Sequence, residues 1–296
     1  MIDISNLQGC GTALATPFKS DLSVDEEALR RFVEWQIAEG INFLVPCGTT
    51  GESVTLTNQE QRRVVEIVLE TANRRVPVIA GAGGNNTAAI VEKVKEYEKL
   101  GIDGLLSVTP YYNKPTQEGL YQHFRAIAEA TRLPIILYNV PPRTNVNLLP
   151  DTLMRLAEIA NIIGVKEASG DIAQISEIAN RMPDEFRLLS GDDSTTLPLV
   201  AVGGCGLISV ASNEAPRLMT ALTQACIAEN YAEARRLNRE LMPLMKVNFI
   251  ETSPAPVKAA LAMMGKMAET ARLPIVPVST TTKERLHTIL TDLKLI

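Results

Sequence analysis

The sequence predicts a (β/α)8 barrel, also called a TIM barrel, followed by a C-terminal helical extension. Three observations lead to this fold class. Short apolar runs alternate with amphipathic stretches eight times between residues 11 and 228, which is typical of parallel βαβ units. The chain has 296 residues, and a barrel uses roughly 250 of them as one unit. From Tyr231 onward only helical patterns remain.

Each predicted strand is a short apolar run, and each predicted helix carries its apolar residues on one face. The first helix has Leu29, Phe32 and Ile37 on one stripe, and Gly101 ends the third helix. In order, the predicted strands cover residues 11–18, 42–47, 76–80, 104–109, 134–140, 162–168, 186–190 and 206–211. The helices that follow them cover residues 25–39, 58–74, 87–100, 117–131, 150–159, 172–181, 195–202 and 215–228. The extension is predicted to contain helices at 232–249, 255–264 and 281–295.

These elements divide the chain into a catalytic barrel, residues 1–229, and a C-terminal helical domain, residues 230–296. A doubly wound open sheet is the alternative architecture. It would need a glycine-rich phosphate turn after its first strand, and residues 17–20 contain no glycine. The barrel is therefore the favoured prediction.

The composition argues against several classes of protein. A formal net charge of -5 gives no electrostatic reason to expect nucleic acid or an anionic membrane as a partner. No apolar run reaches the roughly 18 residues that a membrane-spanning helix needs, and the N-terminus lacks the basic and apolar regions of a signal peptide. We expect a soluble, cytoplasmic protein.

Cysteine and histidine usage argues against metal and serine-hydrolase chemistry. The four cysteines, at positions 10, 47, 205 and 226, contain no C-x-x-C pair and are expected to be buried, reduced thiols. The only histidines, His123 and His287, are too far apart for an H-E-x-x-H site. We expect no metal and no cofactor.

Lys166 is the most informative residue, because it stands near the end of an apolar strand-like run. Lysine is almost never fully buried without a partner. One interpretation is a strand-end lysine whose ammonium reaches water. The other is a catalytic amine, because a dry site lowers the pKa and yields a neutral nucleophile that can form an imine with a ketone.

In such a barrel the active site lies at the carboxyl ends of the strands, and polar residues gather there. Tyr138 would end the strand next to Lys166, and a phenol beside an amine suits proton transfer. Free backbone N–H groups at Thr49 and Thr50 would suit a carboxylate, and Arg143 a second one. The glycines of Gly48-Thr49-Thr50-Gly51 are also explained by a tight turn alone. Asp192 and Asp193 fit a turn or helix cap better than a metal site.

Five segments at these strand ends closely resemble the dihydrodipicolinate synthase family, also called the 4-hydroxy-tetrahydrodipicolinate synthases. They cover residues 48–53, 109–113, 138–144, 164–168 and 189–193, and the resemblance runs from about Gly11 through the C-terminal helices. The family belongs to the pyruvate-dependent lysine aldolases, together with N-acetylneuraminate lyase. Arg143 after Asn-Val-Pro-Pro marks the synthases, since the sialic-acid lyases lack an arginine in that motif.

The resemblance implies a catalytic role for four residues. Lys166 would form the imine with pyruvate. Tyr138 would relay protons and would be linked through the Thr49 hydroxyl to Tyr112. In the family this last tyrosine comes from the neighbouring subunit, so the resemblance implies a homotetramer built as a dimer of dimers.

The resemblance also implies a binding role for further residues. The amides of Thr49 and Thr50 would hold the pyruvate carboxylate, and Arg143 the carboxylate of L-aspartate-4-semialdehyde. Gly191 and the backbone of Ile208 would line the pocket. The expected reaction is the condensation of these two substrates in lysine biosynthesis. The alternatives are another pyruvate-dependent aldolase, acting on a sugar-derived keto acid, and a non-catalytic relative that only binds a keto acid.

Many members of the family are inhibited by lysine, and the matched positions Ser53, Asn85 and Tyr111 are retained here. Feedback-sensitive members commonly carry a histidine where Asn58 stands and a glutamate where Ala89 stands. Alanine offers no acceptor for an ammonium group, so we expect weak or absent inhibition by L-lysine.

Overall fold

Eight parallel strands form a barrel in the computed structural model, which describes residues 1–296. Neighbouring strands pair in the order β2-β1-β8-β7-β6-β5-β4-β3, and a parallel bridge between Leu44 and Val78 joins the two ends. The strands are β1 (Gly9–Ala13), β2 (Phe43–Val45), β3 (Ile79–Gly81), β4 (Gly104–Val108), β5 (Ile135–Asn139), β6 (Ile162–Glu167), β7 (Arg187–Ser190) and β8 (Gly206–Ser209). The predicted barrel is confirmed, and the open-sheet alternative is wrong.

Helices alternate with the strands around the barrel. They are α1 (Glu26–Ala38), α2 (Asn58–Ala72), α3 (Thr87–Leu100), α4 (Gln117–Glu129), α5 (Pro141–Thr144), α6 (Pro150–Ala157), α7 (Ile172–Arg181), α8 (Thr196–Ala201) and α9 (Pro216–Ile227). The C-terminal extension adds α10 (Tyr231–Val247), α11 (Ala255–Met263) and α12 (Thr280–Asp292). Short 3₁₀ turns cover Ser53–Thr55, Asp193–Thr195 and Ala211–Asn213. Helix α5, which has only four residues and begins with two prolines, was not predicted from the sequence.

Side-chain caps fix where several helices begin. Thr57 accepts a hydrogen bond from the Glu60 N–H, and the Glu60 carboxylate accepts one in return from the Thr57 N–H, which makes a capping box at the start of α2. Asp171 accepts from the Ala173 and Gln174 N–H groups at the start of α7. Such a cap contributes about 1 kcal/mol, so the turns between strands and helices are well defined at these points.

Two hydrophobic clusters make up the core. A small inner cluster fills the barrel and includes Phe43, Ile79, Leu106 and Tyr138. A much larger cluster lies between the strands and the surrounding helices, and it continues into α10, α11 and α12. The C-terminal helices therefore pack on the barrel through a shared core, and the division at residues 229 and 230 stays a prediction.

No helix is both long enough and apolar enough to cross a membrane. All four cysteines are unpaired; Cys205 is half-buried and the other three are buried. His123 lies on α4 and His287 on α12, as expected for residues of amphipathic helices.

Candidate active site

A cavity of about 370 Å³ opens at the carboxyl ends of the strands. This is the end of the barrel at which catalytic residues gather in this fold. The sequence-predicted residues that line the cavity are Thr49, Thr50, Tyr138, Arg143, Lys166 and Gly191. Residues from the ends of four strands, scattered through the sequence, therefore meet at one site.

Lys166 and Tyr138 lie side by side on neighbouring strands. The two residues are paired in the register of β5 and β6, so their side chains point to the same face of the sheet. The Lys166 Nζ atom lies 4.3 Å from the centre of the Tyr138 ring. Lys166 is only 4% exposed, which excludes the interpretation that its ammonium simply extends into water.

Burial sets the ionisation of both groups. The pKa of Lys166 is lowered to about 7, mainly by burial, with a smaller contribution from the Arg143 cation, while the carboxylates of Asp193 and Asp192 oppose the change. Burial also raises the pKa of Tyr138 to about 12. Near neutral pH the site therefore holds an amine that is partly uncharged and a phenol that keeps its proton.

The Gly48-Thr49-Thr50-Gly51 segment, here called the glycine-threonine turn, connects β2 to the Ser53–Thr55 turn. The backbone N–H groups of Thr49 and Thr50 donate no hydrogen bond within the chain, and both residues line the cavity. The Thr16 hydroxyl donates to the Gly51 carbonyl at 2.7 Å and holds the turn from the β1 side. Two free N–H groups at one turn are a suitable binding site for a carboxylate.

Arg143 reaches the cavity from α5. Its side chain is exposed, and no carboxylate lies within salt-bridge distance of it. A guanidinium without a partner at the mouth of a cavity is available for bidentate binding of a carboxylate from a ligand.

Gly191 must lack a side chain because of its close contact with Ala168, beside Lys166. A Cβ atom at this position would lie 2.7 Å from the Ala168 Cβ atom and 3.1 Å from the Lys166 Cε atom. Ile208, which was expected to line the pocket through its backbone, has its side chain buried in the inner core, and its backbone role stays a prediction. Val210, two residues later, lines the cavity.

The two aspartates after Gly191 have different environments. Asp192 lines the cavity, and its carboxylate caps the following turn by accepting from the Ser194 N–H at 2.8 Å. Asp193 is 1% exposed and accepts from the Ser209 hydroxyl at 2.5 Å and from the Ala211 N–H at 3.0 Å. Both were predicted to be turn or cap residues, and the hydrogen bonds by which Asp193 connects β7 to the end of β8 were not predicted.

One wall of the cavity comes from the C-terminal extension and was not predicted from the sequence. The segment between α10 and α11 contributes Phe249, Glu251, Thr252 and Ser253. Phe249 is 46% exposed, which is unusual for a large apolar side chain beside a cavity. No strand precedes this segment, so the rule that sites lie after barrel strands could not identify it.

Tyr112 lies outside this cavity. It is 89% exposed and has a left-handed backbone conformation, with φ of +72°. Within one chain no hydrogen bond joins the Thr49 hydroxyl to Tyr138 or to Tyr112. The relay implied by the resemblance stays a prediction, and it would require Tyr112 to act in a neighbouring subunit.

A second cavity, of about 410 Å³, adjoins the first and shares Thr49, Tyr138 and Arg143 with it. Its lining includes Ser53, Asn85 and Tyr111, the residues of the expected lysine site, together with Ala89. Lys93 also lines it, and the Lys93 Nζ atom donates to the Gln61 Oε1 atom at 2.6 Å. The lining contains no carboxylate.

No three histidine, cysteine, aspartate or glutamate residues lie close enough together to hold a metal ion. The first cavity presents an amine, a phenol, free backbone N–H groups and a guanidinium.

Comparison with known proteins extends these observations over the whole chain. The profile of the dihydrodipicolinate synthetase family matches residues 6–293. Two proteins named 4-hydroxy-tetrahydrodipicolinate synthase are similar to this chain. The protein of Koribacter versatilis is 53% identical over 96% of this chain and 95% of its own length. That of Nitratidesulfovibrio vulgaris is 54% identical, over 96% of this chain and 97% of its own.

Among solved structures, the chloride-inhibited dihydrodipicolinate synthase of Acinetobacter baumannii in complex with pyruvate is 44% identical. It matches with a TM-score of 0.96 over 98% of this chain and all of its own. The family profile, the two relatives and the solved structure indicate the same family over nearly the full length of the chain. The chain belongs to the dihydrodipicolinate synthetase family.

Proposed function

We propose that this chain is a 4-hydroxy-tetrahydrodipicolinate synthase, which condenses pyruvate with L-aspartate-4-semialdehyde through an imine on Lys166. The observation that carries the proposal is a buried lysine with a lowered pKa beside a buried tyrosine on the neighbouring strand. Full-length similarity to proteins of this name supports the choice of reaction.

The first step is imine formation. The neutral Lys166 amine attacks the keto carbon of pyruvate, and the former carbonyl oxygen leaves as water after it has gained two protons. Tyr138 is the nearest proton carrier, because its ring lies against the Lys166 Nζ atom and its raised pKa keeps the phenol protonated. The free N–H groups of Thr49 and Thr50 would hold the pyruvate carboxylate during this step.

The second step is carbon–carbon bond formation. Loss of a proton from the pyruvate methyl group turns the imine into an enamine, whose terminal carbon attacks the aldehyde of the semialdehyde. Arg143 would bind the carboxylate of this second substrate, since its guanidinium has no partner in the chain. The substrate's amino group then displaces Lys166 from the imine carbon, which closes the ring and frees the lysine.

The proposal also covers assembly and location. We infer a homotetramer built as a dimer of dimers, as the resemblance implies, and the exposed large side chains of Tyr112 and Val54 support contact with a partner subunit. A regulatory site for lysine would lie in the second cavity. A cytoplasmic location fits four cysteines that form no disulfide.

Reductive trapping tests the proposal directly. Purified protein is treated with borohydride and pyruvate, and the peptide containing Lys166 is analysed by mass. We expect the pyruvate adduct on that peptide, no adduct in Lys166→Ala, and an unchanged adduct in Lys246→Ala, which removes an exposed lysine of α10. An unmodified Lys166 peptide in the unsubstituted protein would contradict the proposal.

Turnover with different aldehydes separates the related functions. We expect activity with pyruvate and L-aspartate-4-semialdehyde and none with pyruvate and N-acetylmannosamine. The opposite preference would favour an aldolase of sugar-derived keto acids. Imine trapping without turnover of any aldehyde would favour a protein that only binds keto acids.

A further inference from the structure

The residue that follows the glycine-threonine turn is a buried glutamate. Glu52 has a left-handed backbone with φ of +53°, and its side chain is 2% exposed. Its N–H donates to the Thr49 carbonyl at 3.0 Å, so its position is coupled to that of the turn. A buried carboxylate is costly unless it is paired and hydrogen-bonded.

Both partners of the Glu52 carboxylate come from the C-terminal extension. Lys258 of α11 is completely buried and its Nζ atom forms a short hydrogen bond to one carboxylate oxygen. The backbone N–H of Arg272 donates to the other oxygen at 3.0 Å. The Lys258 Nζ atom also donates to the Thr270 carbonyl at 2.7 Å and lies 4.1 Å from the centre of the Phe18 ring. Two of the three N–H donors of this ammonium group therefore have a hydrogen-bond acceptor, and the group also lies over an aromatic ring.

The Arg272 guanidinium forms hydrogen bonds and a salt bridge with three other segments of the barrel. It donates to the Leu22 carbonyl at 2.7 Å in the β1–α1 connection and to the Thr55 carbonyl at 2.8 Å in the β2–α2 connection. It also forms a salt bridge at 2.5 Å with Glu60 in the first turn of α2. The C-terminal extension thus contacts the residue that follows the glycine-threonine turn, the β1–α1 connection, the β2–α2 connection and the first turn of α2.

Stability alone does not account for this arrangement. A buried ion pair is often no more stabilising than apolar side chains of similar volume, because both charges lose their hydration. What such a pair does provide is a single geometry, since its hydrogen bonds are directional. Neither Glu52 nor Lys258 lines the active-site cavity, whereas Thr49 and Thr50 of the adjoining turn do.

We propose that Glu52, Lys258 and Arg272 are positioning residues, through which the C-terminal extension holds the N–H groups of Thr49 and Thr50 in place for the carboxylate of the keto acid. The proposal rests on the proposed function and deepens it. The extension then acts on the affinity for pyruvate, and it leaves the binding of the aldehyde substrate at Arg143 unchanged.

The test is a double substitution that removes both buried charges together, Glu52→Gln with Lys258→Met. The control is Glu269→Gln with Lys283→Met, which removes another ion pair of the extension, with a distance of 2.7 Å, that does not touch the turn. Steady-state kinetics are measured for both substrates, and borohydride trapping is measured as a function of pyruvate concentration.

We expect the double variant to need about tenfold more pyruvate for half-saturation in both assays, because one well-placed hydrogen bond to a charged group is worth about a decade of affinity. Its kcat at saturating pyruvate and its KM for the semialdehyde should stay within about twofold of the unsubstituted enzyme, and the control should match that enzyme in all constants. An unchanged pyruvate requirement, or an equal increase for both substrates, would overturn the proposal. The proposal would also be overturned if the control variant showed the same increase in its pyruvate requirement.

A second variant keeps the test usable if the double variant does not fold. Arg272→Lys retains the charge but not the fork of donors to Leu22, Thr55 and Glu60, and we expect a selective increase of about threefold in the pyruvate requirement. An unchanged requirement in this variant would overturn the proposal. Failure of the unsubstituted protein to trap pyruvate would instead contradict the proposed function, so the two outcomes are distinguishable.

Discussion

At the scale of single residues, the site depends on the charge state of one amine. Lys166 is buried at the end of a strand, and desolvation favours its uncharged form over the ammonium form. Arg143 acts in the same direction, while Asp192 and Asp193 limit the effect by stabilising the cation. The opposing carboxylates explain why a nearly completely buried lysine still titrates near neutrality.

The titration of Lys166 predicts how imine formation depends on pH. Only the neutral amine attacks a ketone, and with a pKa of about 7 its fraction rises with pH and approaches completion above neutrality. We therefore expect the trapping rate at low pyruvate to rise about tenfold per pH unit well below pH 7, and to level off above about pH 8. A rate that keeps rising to pH 10, as for an ordinary lysine, would contradict the assigned environment.

Arg143 predicts a separation between the two chemical steps. Arg143→Ala should leave imine formation with pyruvate nearly intact, because in the proposed function the Thr49 and Thr50 N–H groups hold that substrate. Condensation should weaken by about one to two decades, since a hydrogen bond to a charged group contributes about 1.5–3 kcal/mol. Arg143→Lys keeps the positive charge but not the two parallel donors of the guanidinium. Its condensation activity should lie between those of the unsubstituted enzyme and Arg143→Ala. Equal loss of pyruvate trapping would make Arg143 a structural residue.

At the scale of elements, the sequence predicted the strand–helix alternation because each element buries one regular face. Helices α3 and α7 begin and end where predicted, since a capping residue and a change in hydrophobicity coincide there. The first strand is shorter than predicted: residues 14–18 are buried like a strand but leave the ladder after Ala13. Burial is visible in a sequence, whereas the end of a hydrogen-bonded ladder is not.

The candidate site was predictable only in part, for a similar reason. Residues at the carboxyl ends of barrel strands or just after them, such as Thr49, Tyr138 and Lys166, could be located from the fold rule alone. Glu251 and Ser253 could not, because they lie in a helical extension and approach the site only through tertiary packing. The buried pair of Glu52 and Lys258 is separated by more than two hundred residues, and neither residue type predicts burial.

Asp193 gives a prediction about the connection between β7 and β8. Its carboxylate accepts hydrogen bonds from the Ser209 hydroxyl and from the N–H groups of Val210 and Ala211. Asp193→Ala leaves these buried donors without partners and should lower the free energy of unfolding by about 3–5 kcal/mol. Asp192→Ala, which removes only a partly buried cap, should cost about 1 kcal/mol. Urea unfolding measures both, and equal effects would contradict the structural role of Asp193.

At the scale of the whole molecule, two cavities adjoin, and the second one bears on regulation. Lysine as a ligand would bring an ammonium group into a cavity without a carboxylate. The Gln61 Oε1 atom already accepts from Lys93, and the Glu52 carboxylate is already paired with Lys258. Neither residue is available to replace the acceptor that Ala89 lacks.

We therefore expect L-lysine to inhibit weakly or not at all. Loss of one hydrogen bond to a charged group weakens binding roughly ten- to a hundredfold, and the Lys93 ammonium adds repulsion. Titration of L-lysine into the steady-state assay measures this directly. Ala89→Glu together with Lys93→Met should increase sensitivity, because the change supplies an acceptor and removes the competing cation. Strong inhibition of the unsubstituted enzyme at micromolar lysine would show that another group compensates.

Tyr112 supplies the last prediction, because one chain cannot bring it to the site that the resemblance assigns to it. An 89% exposed tyrosine that reaches no group of its own cavity can take part in proton transfer only in a partner subunit.

Tyr112→Phe and Lys166→Ala should each assemble normally and have low activity. When the two are co-expressed, each hybrid dimer contains one subunit with an intact Lys166 that faces an intact Tyr112. With random pairing, half of the dimers are hybrids, and each hybrid has one working site out of two. About a quarter of the activity of the unsubstituted enzyme should therefore return. A mixture that stays as inactive as its components would place Tyr112 outside the proton relay, or within its own chain's site.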